Sequence, residues 1–204
     1  GASDTWALEN HDVERAVTRY GGGTVGLDRA RAMALVLLAL PGAVFVYNGE
    51  ELGLPNVDLP DEALQDPVWE RSGHTERGRD GCRVPMPWSG NAPPFGFSST
   101  AETWLPMPAE WAALTVQRQQ TEPGSTLEFY RRAIQLRAGR AEFAGSRIQL
   151  ENSGEVLTLR REGGLTCVLN TGAGPAVLPA GEVLLSSGDL TDGILGPDSA
   201  VWLV

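Results

Sequence analysis

The residues of this chain that are best suited to chemistry are Glu9-Asn10-His11-Asp12, which follow the short apolar segment Trp6-Ala7-Leu8. The adjacent imidazole and carboxylate can bind neighbouring hydroxyl groups, because the carboxylate accepts hydrogen bonds and the imidazole can donate one. Sugars present hydroxyl groups in this way. A solvated turn is the alternative interpretation, since Asn, His and Asp are all common in loops. The surrounding segments are therefore needed to choose between a sugar-binding site and a turn.

The segment that follows contains one helix and one strand. Asp28 is placed to cap a helix over residues 30–40, which is apolar on nearly every side after its first turn, and Pro41-Gly42 ends it. A helix of this composition is buried within a larger body. Residues 43–47 form a continuous apolar run, as expected of a strand covered on both faces.

Together with the segment at residues 6–8, these elements predict a β–α–β unit of a parallel sheet. Polar residues follow both strands, at 10–12 and at 48–51. In parallel α/β proteins the functional residues gather beyond the carboxyl ends of the strands. The polar residues after the two strands are therefore candidates for one site.

Residues 54–110 show little periodicity and are rich in proline, glycine, charged residues and scattered tryptophan. A stretch of this length is either an active-site loop or a disordered linker. The tryptophans favour a packed loop, because disordered linkers are poor in aromatic residues. A helix is predicted next, over residues 126–137, with Gly139 as its stop signal.

The last part of the chain alternates between apolar and polar residues, and short glycine-containing turns separate the runs. This pattern predicts a small antiparallel β domain. The predicted fold class is therefore α/β followed by all-β, with an α/β part over residues 1–140 and a β domain over residues 145–204. The predicted strands lie at 147–151, 155–160, 165–169, 183–185 and 200–204.

Composition excludes several classes of partner. The formal net charge of −10 at pH 7 argues against nucleic acid and against anionic membrane surfaces. Cys82 and Cys167 have no metal or redox spacing, so we expect free thiols. No apolar run is long enough to cross a bilayer and no signal peptide is present, which favours a cytoplasmic location. Gly1 is not a start methionine, however, which is consistent with a fragment.

Three motifs resemble the α-glucosidases of glycoside hydrolase family 13, the α-amylase superfamily, in the branch of maltases and oligo-1,6-glucosidases. Residues 8–12 (LENHD) resemble the motif after the seventh barrel strand, and residues 45–53 (FVYNGEELG) resemble the eighth strand and its turn. Residues 83–88 (RVPMPW) resemble the arginine-led motif of the following loop, although glutamine is more usual at Asn48 and Pro87. The resemblance implies the C-terminal part of a (β/α)8 TIM barrel, with strands 7 and 8 and their helices, followed by the β domain.

The resemblance also implies roles for individual residues. Asp12 would be the third carboxylate of the family, the transition-state stabiliser that binds the hydroxyls at positions 2 and 3 of the reacting sugar. His11 would donate to a neighbouring hydroxyl, and Arg83 would close the −1 subsite, paired with an acidic residue outside this chain. Glu50 would contact the next glucose, or would instead anchor its loop through backbone amides. Arg15 and Arg19 are expected to form structural ion pairs.

The family's nucleophile and its acid/base residue would lie on earlier strands that this chain does not contain. The resemblance thus implies an oligosaccharide substrate, the missing N-terminal half of the barrel as partner, no cofactor, and no hydrolysis by this chain alone. A glucosyl-transferring or isomerising enzyme, of the sucrose or trehalose isomerase type, is one alternative. A non-catalytic member of the superfamily is another, and a separate carbohydrate-binding role for the β domain is a third.

Overall fold

Two parallel strands separated by two helices lie near the start of the computed structural model, which describes residues 4–204. Strand β1 (Thr5–Ala7) pairs in parallel with strand β2 (Ala43–Phe45), residue for residue. Helices α1 (Ala16–Arg19) and α2 (Gly23–Ala39) lie between them in the chain. The parallel β–α–β pattern predicted from the apolar runs is confirmed, although β2 ends two residues earlier than the apolar run does. Coverage of this strand on both faces is not seen in the described residues, since Phe45 is 63% exposed.

Helix α2 begins earlier than the sequence pattern predicts. Its N-cap is Gly22, so Asp28 lies inside the helix as an exposed residue and caps nothing. The prediction of a start at Asp28 was wrong because the preceding glycines let the backbone turn sooner: Gly22 and Gly23 have φ values of 69° and 56°. The half of α2 from Ala32 to Ala39 is buried almost throughout, as its apolar composition predicts.

The described residues divide into two compact units. The first comprises residues up to Leu8, Tyr20–Phe45 and Phe129–Val204, and the second comprises Glu9–Arg19 and Val46–Glu128. This division does not follow the predicted boundary between residues 140 and 145, which therefore stays a prediction. Both cysteines are free, as expected, and both are buried.

In the first unit, α2 packs on an antiparallel sheet of five strands with the order β3-β4-β5-β10-β7. A smaller antiparallel sheet has the order β6-β9-β8. The antiparallel strands predicted from alternation are thus confirmed. The strands are β3 (Ile148–Ser153), β4 (Val156–Arg161), β5 (Thr166–Asn170), β6 (Ala176–Val177), β7 (Val183–Ser186), β8 (Leu190–Thr191), β9 (Ile194–Leu195) and β10 (Ser199–Leu203).

Trp202 is at the centre of the core of this first unit. Its side chain is fully buried, and its indole N–H donates to the carbonyl oxygen of Leu35 at 3.1 Å. The Trp202 and Phe143 rings are in an edge-to-face arrangement, with their centres 4.8 Å apart. The bond to Leu35 satisfies the polar end of a side chain that is otherwise apolar. Strand β10 and helix α2 are therefore joined by packing and by one directed hydrogen bond.

The second unit consists mainly of loops around an apolar core. Its helices are short: α1, α3 (Pro67–Arg71), α4 (Val116–Gln119) and 3-10 turns at Glu50–Leu52, Asp61–Ala63, Asp80–Cys82 and Ala109–Leu114. The buried core includes Leu52, Leu54, Met86, Phe95 and Trp111. Residues 54–110 thus form a packed loop rather than a disordered linker, as the tryptophans predict. Helix α5 (Thr126–Gly139) follows, close to its predicted range.

Candidate active site

A buried ion pair joins the two ends of the segment that carries the candidate residues. Oε2 of Glu9 lies 3.3 Å from Nη1 of Arg15, and Oε1 of Glu9 accepts a hydrogen bond from the backbone N–H of Ala16 at 2.8 Å. Both ion-paired side chains are only 1% exposed. The structural ion pair expected for Arg15 is confirmed. Asn10, His11 and Asp12 therefore lie on a short loop whose two ends are tied together.

Arg15 also fixes the neighbouring turn at residues 47–53. Its Nη2 donates to the carbonyl oxygen of Asn48 at 3.0 Å, and its guanidinium carbon lies 4.9 Å from the centre of the Tyr47 ring. Burial raises the pKa of the Glu9 carboxyl, while the Ala16 amide and the Arg15 charge oppose that rise. One buried guanidinium thus joins both segments that the sequence singled out.

Asp12 lies among three nitrogen-bearing side chains. Nη1 of Arg79 lies 2.8 Å from its Oδ1, Nη2 of Arg83 lies 3.1 Å from the same oxygen, and Nε2 of His11 lies 3.4 Å from Oδ2. We call His11, Asp12, Arg79 and Arg83 the Asp12 cluster. The Asp12 side chain is 48% exposed and that of His11 is 67% exposed, so both remain accessible to a ligand.

The structure brings together three of the four residues that were predicted as site residues: Asp12, His11 and Arg83. Nε of Arg83 also donates to the backbone carbonyl of His11 at 2.8 Å. The acidic partner of Arg83 was expected outside this chain, but in the described residues Arg83 pairs with Asp12 and, at 3.6 Å, with Asp66. Both of these carboxylates belong to the second unit. A further acidic partner of Arg83 outside this chain stays a prediction.

Glu50, the fourth, does not join the Asp12 cluster. The residue is 4% exposed, and its Oε2 accepts a hydrogen bond from the backbone N–H of Tyr47 at 3.1 Å. Oε2 of Glu51 similarly accepts from the N–H of Gly49 at 2.9 Å. Both carboxylates stabilise their own turn. The geometry thus favours the loop anchor for Glu50 over the contact with a second glucose.

Arg79 is the cluster residue that the sequence analysis missed. It stands four positions before Arg83, and the two arginines flank the 3-10 turn Asp80–Cys82. That spacing is the only signal in the sequence, and a second arginine in a polar loop is usually a solvated charge. Its contacts in the fold place it in the Asp12 cluster: Nε of Arg79 lies 2.7 Å from Oδ2 of Asp66, and Nη1 contacts Asp12.

The charges of the cluster favour the ionised forms of Asp12 and of the neighbouring Asp66. Desolvation acts to raise the pKa of the Asp12 carboxyl, but the bonds from Arg79 and Arg83 and the nearby His11 ring outweigh it, so that pKa lies below its usual value. The hydrogen bond from Arg79 holds the pKa of Asp66 well below its usual range. The bond to Asp66 in turn raises the pKa of Arg79.

This arrangement suits the binding of a polyol. A negative charge that is kept on Asp12 accepts hydrogen bonds from hydroxyl groups, and His11 and the arginines offer donors beside it.

Across residues 4–204, no group of three or more His, Cys, Asp or Glu side chains has an arrangement that could hold a metal ion. None of the helices in that range is long and apolar enough to cross a membrane.

The chain belongs to the α-amylase catalytic-domain family, because residues 1–144 match the family model described as alpha amylase, catalytic domain. A probable alpha-glucosidase of Rhizobium meliloti (strain 1021) is 38% identical over 170 residues, which is 81% of this chain and 30% of that protein. An oligo-1,6-glucosidase of Heyndrickxia coagulans is 34% identical over 164 residues, which is 70% of this chain and 29% of that protein.

The solved structure of an alpha-glucosyl transfer enzyme, XgtA, superposes on 98% of this chain with a TM-score of 0.82 and 36% identity. The match covers 40% of the XgtA chain. This chain therefore spans less than half the length of the relatives that it matches. The loop motifs and the family match agree with each other, and the family follows from both.

Proposed function

We propose that this chain supplies part of the −1 subsite of a retaining α-glucosidase, with Asp12 as transition-state stabiliser. The observation that carries this proposal is the accessible Asp12 carboxylate, which is kept ionised by two arginines and has an imidazole 3.4 Å away. Glycoside hydrolysis passes through an oxocarbenium-like transition state. A fixed negative charge beside the reacting ring stabilises the positive charge that develops there.

His11 and Arg83 complete the proposed contacts with the sugar. The His11 ring would donate to a hydroxyl next to those bound by Asp12, and its 67% exposure leaves it free to do so. Arg83 is only 18% exposed and is held by the His11 carbonyl and Asp12, so it would form the closed end of the subsite. Glu50 is omitted from the proposed substrate contacts because its carboxylate is buried in its own turn.

The two carboxylates that perform the covalent chemistry are proposed to lie outside this chain. Retaining enzymes place nucleophile and acid/base about 5 Å apart. Asp66 is the other carboxylate that contacts the cluster, but it is fully buried and paired with Arg79, so it cannot reach a sugar. We therefore expect no hydrolysis by the 204-residue chain alone.

The proposed architecture is the end of a (β/α)8 barrel, in which β1 and β2 are the last two strands and the antiparallel sheets form the domain that follows. The parallel register of β1 and β2 supports this proposal, as does the family match over residues 1–144. The partner would be the N-terminal half of the same barrel. The proposed substrates are short oligosaccharides with a terminal α-linked glucose, since two of the relatives are named as glucosidases.

Expression of the complete reading frame that contains this chain tests the proposal. The complete protein should hydrolyse p-nitrophenyl α-glucoside and release glucose with retention of configuration, whereas the purified 204-residue chain should show no turnover. Turnover by the chain alone would contradict the assignment of the missing carboxylates. A complete protein without glycosidase activity would favour the non-catalytic alternative.

Glucosyl transfer is a second candidate, because XgtA, at 36% identity, is named as a glucosyl transfer enzyme. Hydrolysis and transfer share the first chemical step and differ in whether water or a sugar hydroxyl attacks the covalent intermediate. Product analysis separates them: with concentrated maltose, a hydrolase yields mainly glucose, and a transferring enzyme yields trisaccharides or isomers of maltose. The Asp12 cluster serves either reaction, so the measurement must be made on the products.

A further inference from the structure

Asp66 is a buried carboxylate that the proposed reaction does not use. Its side chain is fully buried, and its two oxygens accept hydrogen bonds from three nitrogens of one residue, Arg79. The distances are 2.7 Å from Nε, 3.1 Å from the backbone N–H and 3.3 Å from Nη2. Oδ1 of Asp66 also caps helix α3 by accepting from the N–H of Val68 at 3.1 Å. Asp66 therefore holds both the backbone and the side chain of Arg79.

The guanidinium of Arg79 faces two carboxylates at once. Its Nε and Nη2 face the buried Asp66, while its Nη1 lies 2.8 Å from Oδ1 of Asp12. A guanidinium is planar, so fixing two of its nitrogens also fixes the direction of the third. The position of the Arg79 contact on Asp12 is thus set by Asp66.

The segment around Asp66 is itself tightly built. Oδ2 of the fully buried Asp80 accepts hydrogen bonds from the backbone N–H groups of Gln65, at 2.5 Å, and Asp66, at 2.7 Å. Gly78 has a φ of 73°, and a Cβ there would lie 2.7 Å from atoms of both Asp66 and Val68. Only glycine permits this approach of the backbone. Residues 78–80 therefore enclose Asp66 from the side that carries Arg79.

We propose that Asp66 is a positioning residue for Asp12: it orients Arg79, and Arg79 holds Oδ1 of Asp12 and thereby sets the direction in which the carboxylate presents Oδ2, beside His11, to the substrate. The catalytic consequence of this proposal rests on the proposed function. The placement itself can be measured in the 204-residue chain without any turnover. A structural ion pair that stabilises only the loop is the competing interpretation.

The test is the titration midpoint of the Asp12 carboxyl, measured by NMR on the whole chain labelled with ¹³C-aspartate and assigned with Asp12→Asn. The titratable ring of His11 and the charged side chains of Arg79 and Arg83 face Asp12. In Asp66→Asn we expect the midpoint to rise by on the order of one pH unit, because Arg79 is no longer held against Asp12. Asparagine is also a good N-cap, so helix α3 keeps its cap.

The competing interpretation predicts the opposite or no change. If Arg79 stays on Asp12 without help, removing the Asp66 charge strengthens that pair and the Asp12 midpoint falls. A fall, or an unchanged midpoint, overturns the proposal. Asp61→Asn is the matched control, because Asp61 pairs with Arg77 in the same unit and should leave the Asp12 midpoint where it is.

Arg79→Lys keeps the proposal open to refutation if Asp66→Asn does not fold. Lysine keeps the charge but has no planar fork, so one ammonium cannot hold both carboxylates in the observed geometry. We expect a rise of the Asp12 midpoint in this variant too, and an unchanged midpoint overturns the proposal. Neither outcome depends on glucosidase activity. An inactive complete protein would overturn the proposed function and leave the positioning role of Asp66 standing. An unchanged Asp12 midpoint in an active protein would overturn the positioning role and leave the proposed function standing.

Discussion

Nη1 of Arg79 lies 2.8 Å from Oδ1 of Asp12, although 67 positions separate the two residues in the chain. The contact joins the short loop after β1 to the long loop that carries Arg83. It also connects Asp12 with the buried Asp66, to which Arg79 is bonded at 2.7 Å. Two carboxylates of very different exposure are therefore linked through one guanidinium.

Replacing Asp12 by asparagine should remove most of the activity of the complete enzyme. Asparagine keeps the size of the side chain but loses the charge, so the positive charge of the transition state is no longer stabilised. We expect kcat to fall on the order of 10²- to 10³-fold, with a smaller change in KM. Hydrolysis of p-nitrophenyl α-glucoside measures both constants.

The matched control for that experiment is Asp58→Asn. The Asp58 side chain is 97% exposed and lies 3.6 Å from Arg77. The activity of the Asp58→Asn enzyme should therefore equal that of the unaltered enzyme. An Asp12→Asn enzyme that is as active as the Asp58→Asn enzyme would remove Asp12 from the catalytic machinery.

Acid should weaken the second unit through Asp66. Its pKa in the fold is well below the usual value, mainly because of the bond from Arg79. A group of this kind adds stability above its unfolded pKa, and that contribution is lost as the pH falls from there toward the folded pKa. Between pH 5 and about pH 2.5, the wild-type chain should lose roughly 1–3 kcal/mol of unfolding free energy that Asp66→Asn does not lose.

Urea unfolding at a series of pH values, followed by tryptophan fluorescence, measures this difference. Asp58→Asn serves again as the exposed control and should follow the wild-type curve. Parallel curves for Asp66→Asn and the wild type would show that the Asp66–Arg79 pair contributes nothing to acid stability.

Removing the buried charge of Arg15 should destabilise the second unit strongly. In Arg15→Met the carboxylate of Glu9 stays buried without its charged partner, which costs about 3–5 kcal/mol. The control is Arg118→Ala, since Arg118 belongs to an exposed pair with Glu122 and should change stability by less than about 0.5 kcal/mol. Denaturant midpoints of the two variants give the comparison, and similar midpoints would refute a special role for the buried pair.

Truncating Trp202 should destabilise the first unit. Trp202→Ala leaves a cavity in the core and removes the donor to the Leu35 carbonyl, so we expect a loss of about 3–5 kcal/mol. Val177→Ala, at a residue that is 84% exposed, should stay within about 0.5 kcal/mol of wild type. Thermal unfolding monitored by circular dichroism checks both, and a Trp202→Ala chain as stable as Val177→Ala would contradict this account of the core.

Much of the backbone could be predicted from the sequence. Apolar segments identified the strand pair at β1 and β2, and the runs after residue 147 identified β3, β4, β5, β7 and β10. The two-residue strands β6, β8 and β9 were not predicted, because they are too short to show a pattern. These patterns are local consequences of which face of an element is buried, so they can be recognised without any knowledge of distant residues. The start of α2 could not be placed in the same way, because flexible glycines before it carry no apolar pattern.

The site was only partly predictable, because its residues come from loops that lack a repeating pattern. The sequence alone determined that Asp12 and His11 are adjacent groups suited to sugar hydroxyls, and it left two roles open for Glu50. The tertiary structure decided that Glu50 is buried and accepts a hydrogen bond within its own turn, that Arg79 joins Arg83 on Asp12, and that Asp66 is bonded to Arg79. Pairing between arginines and carboxylates depends on distances through space across a loop without periodicity. Only the folded path of that loop sets those distances.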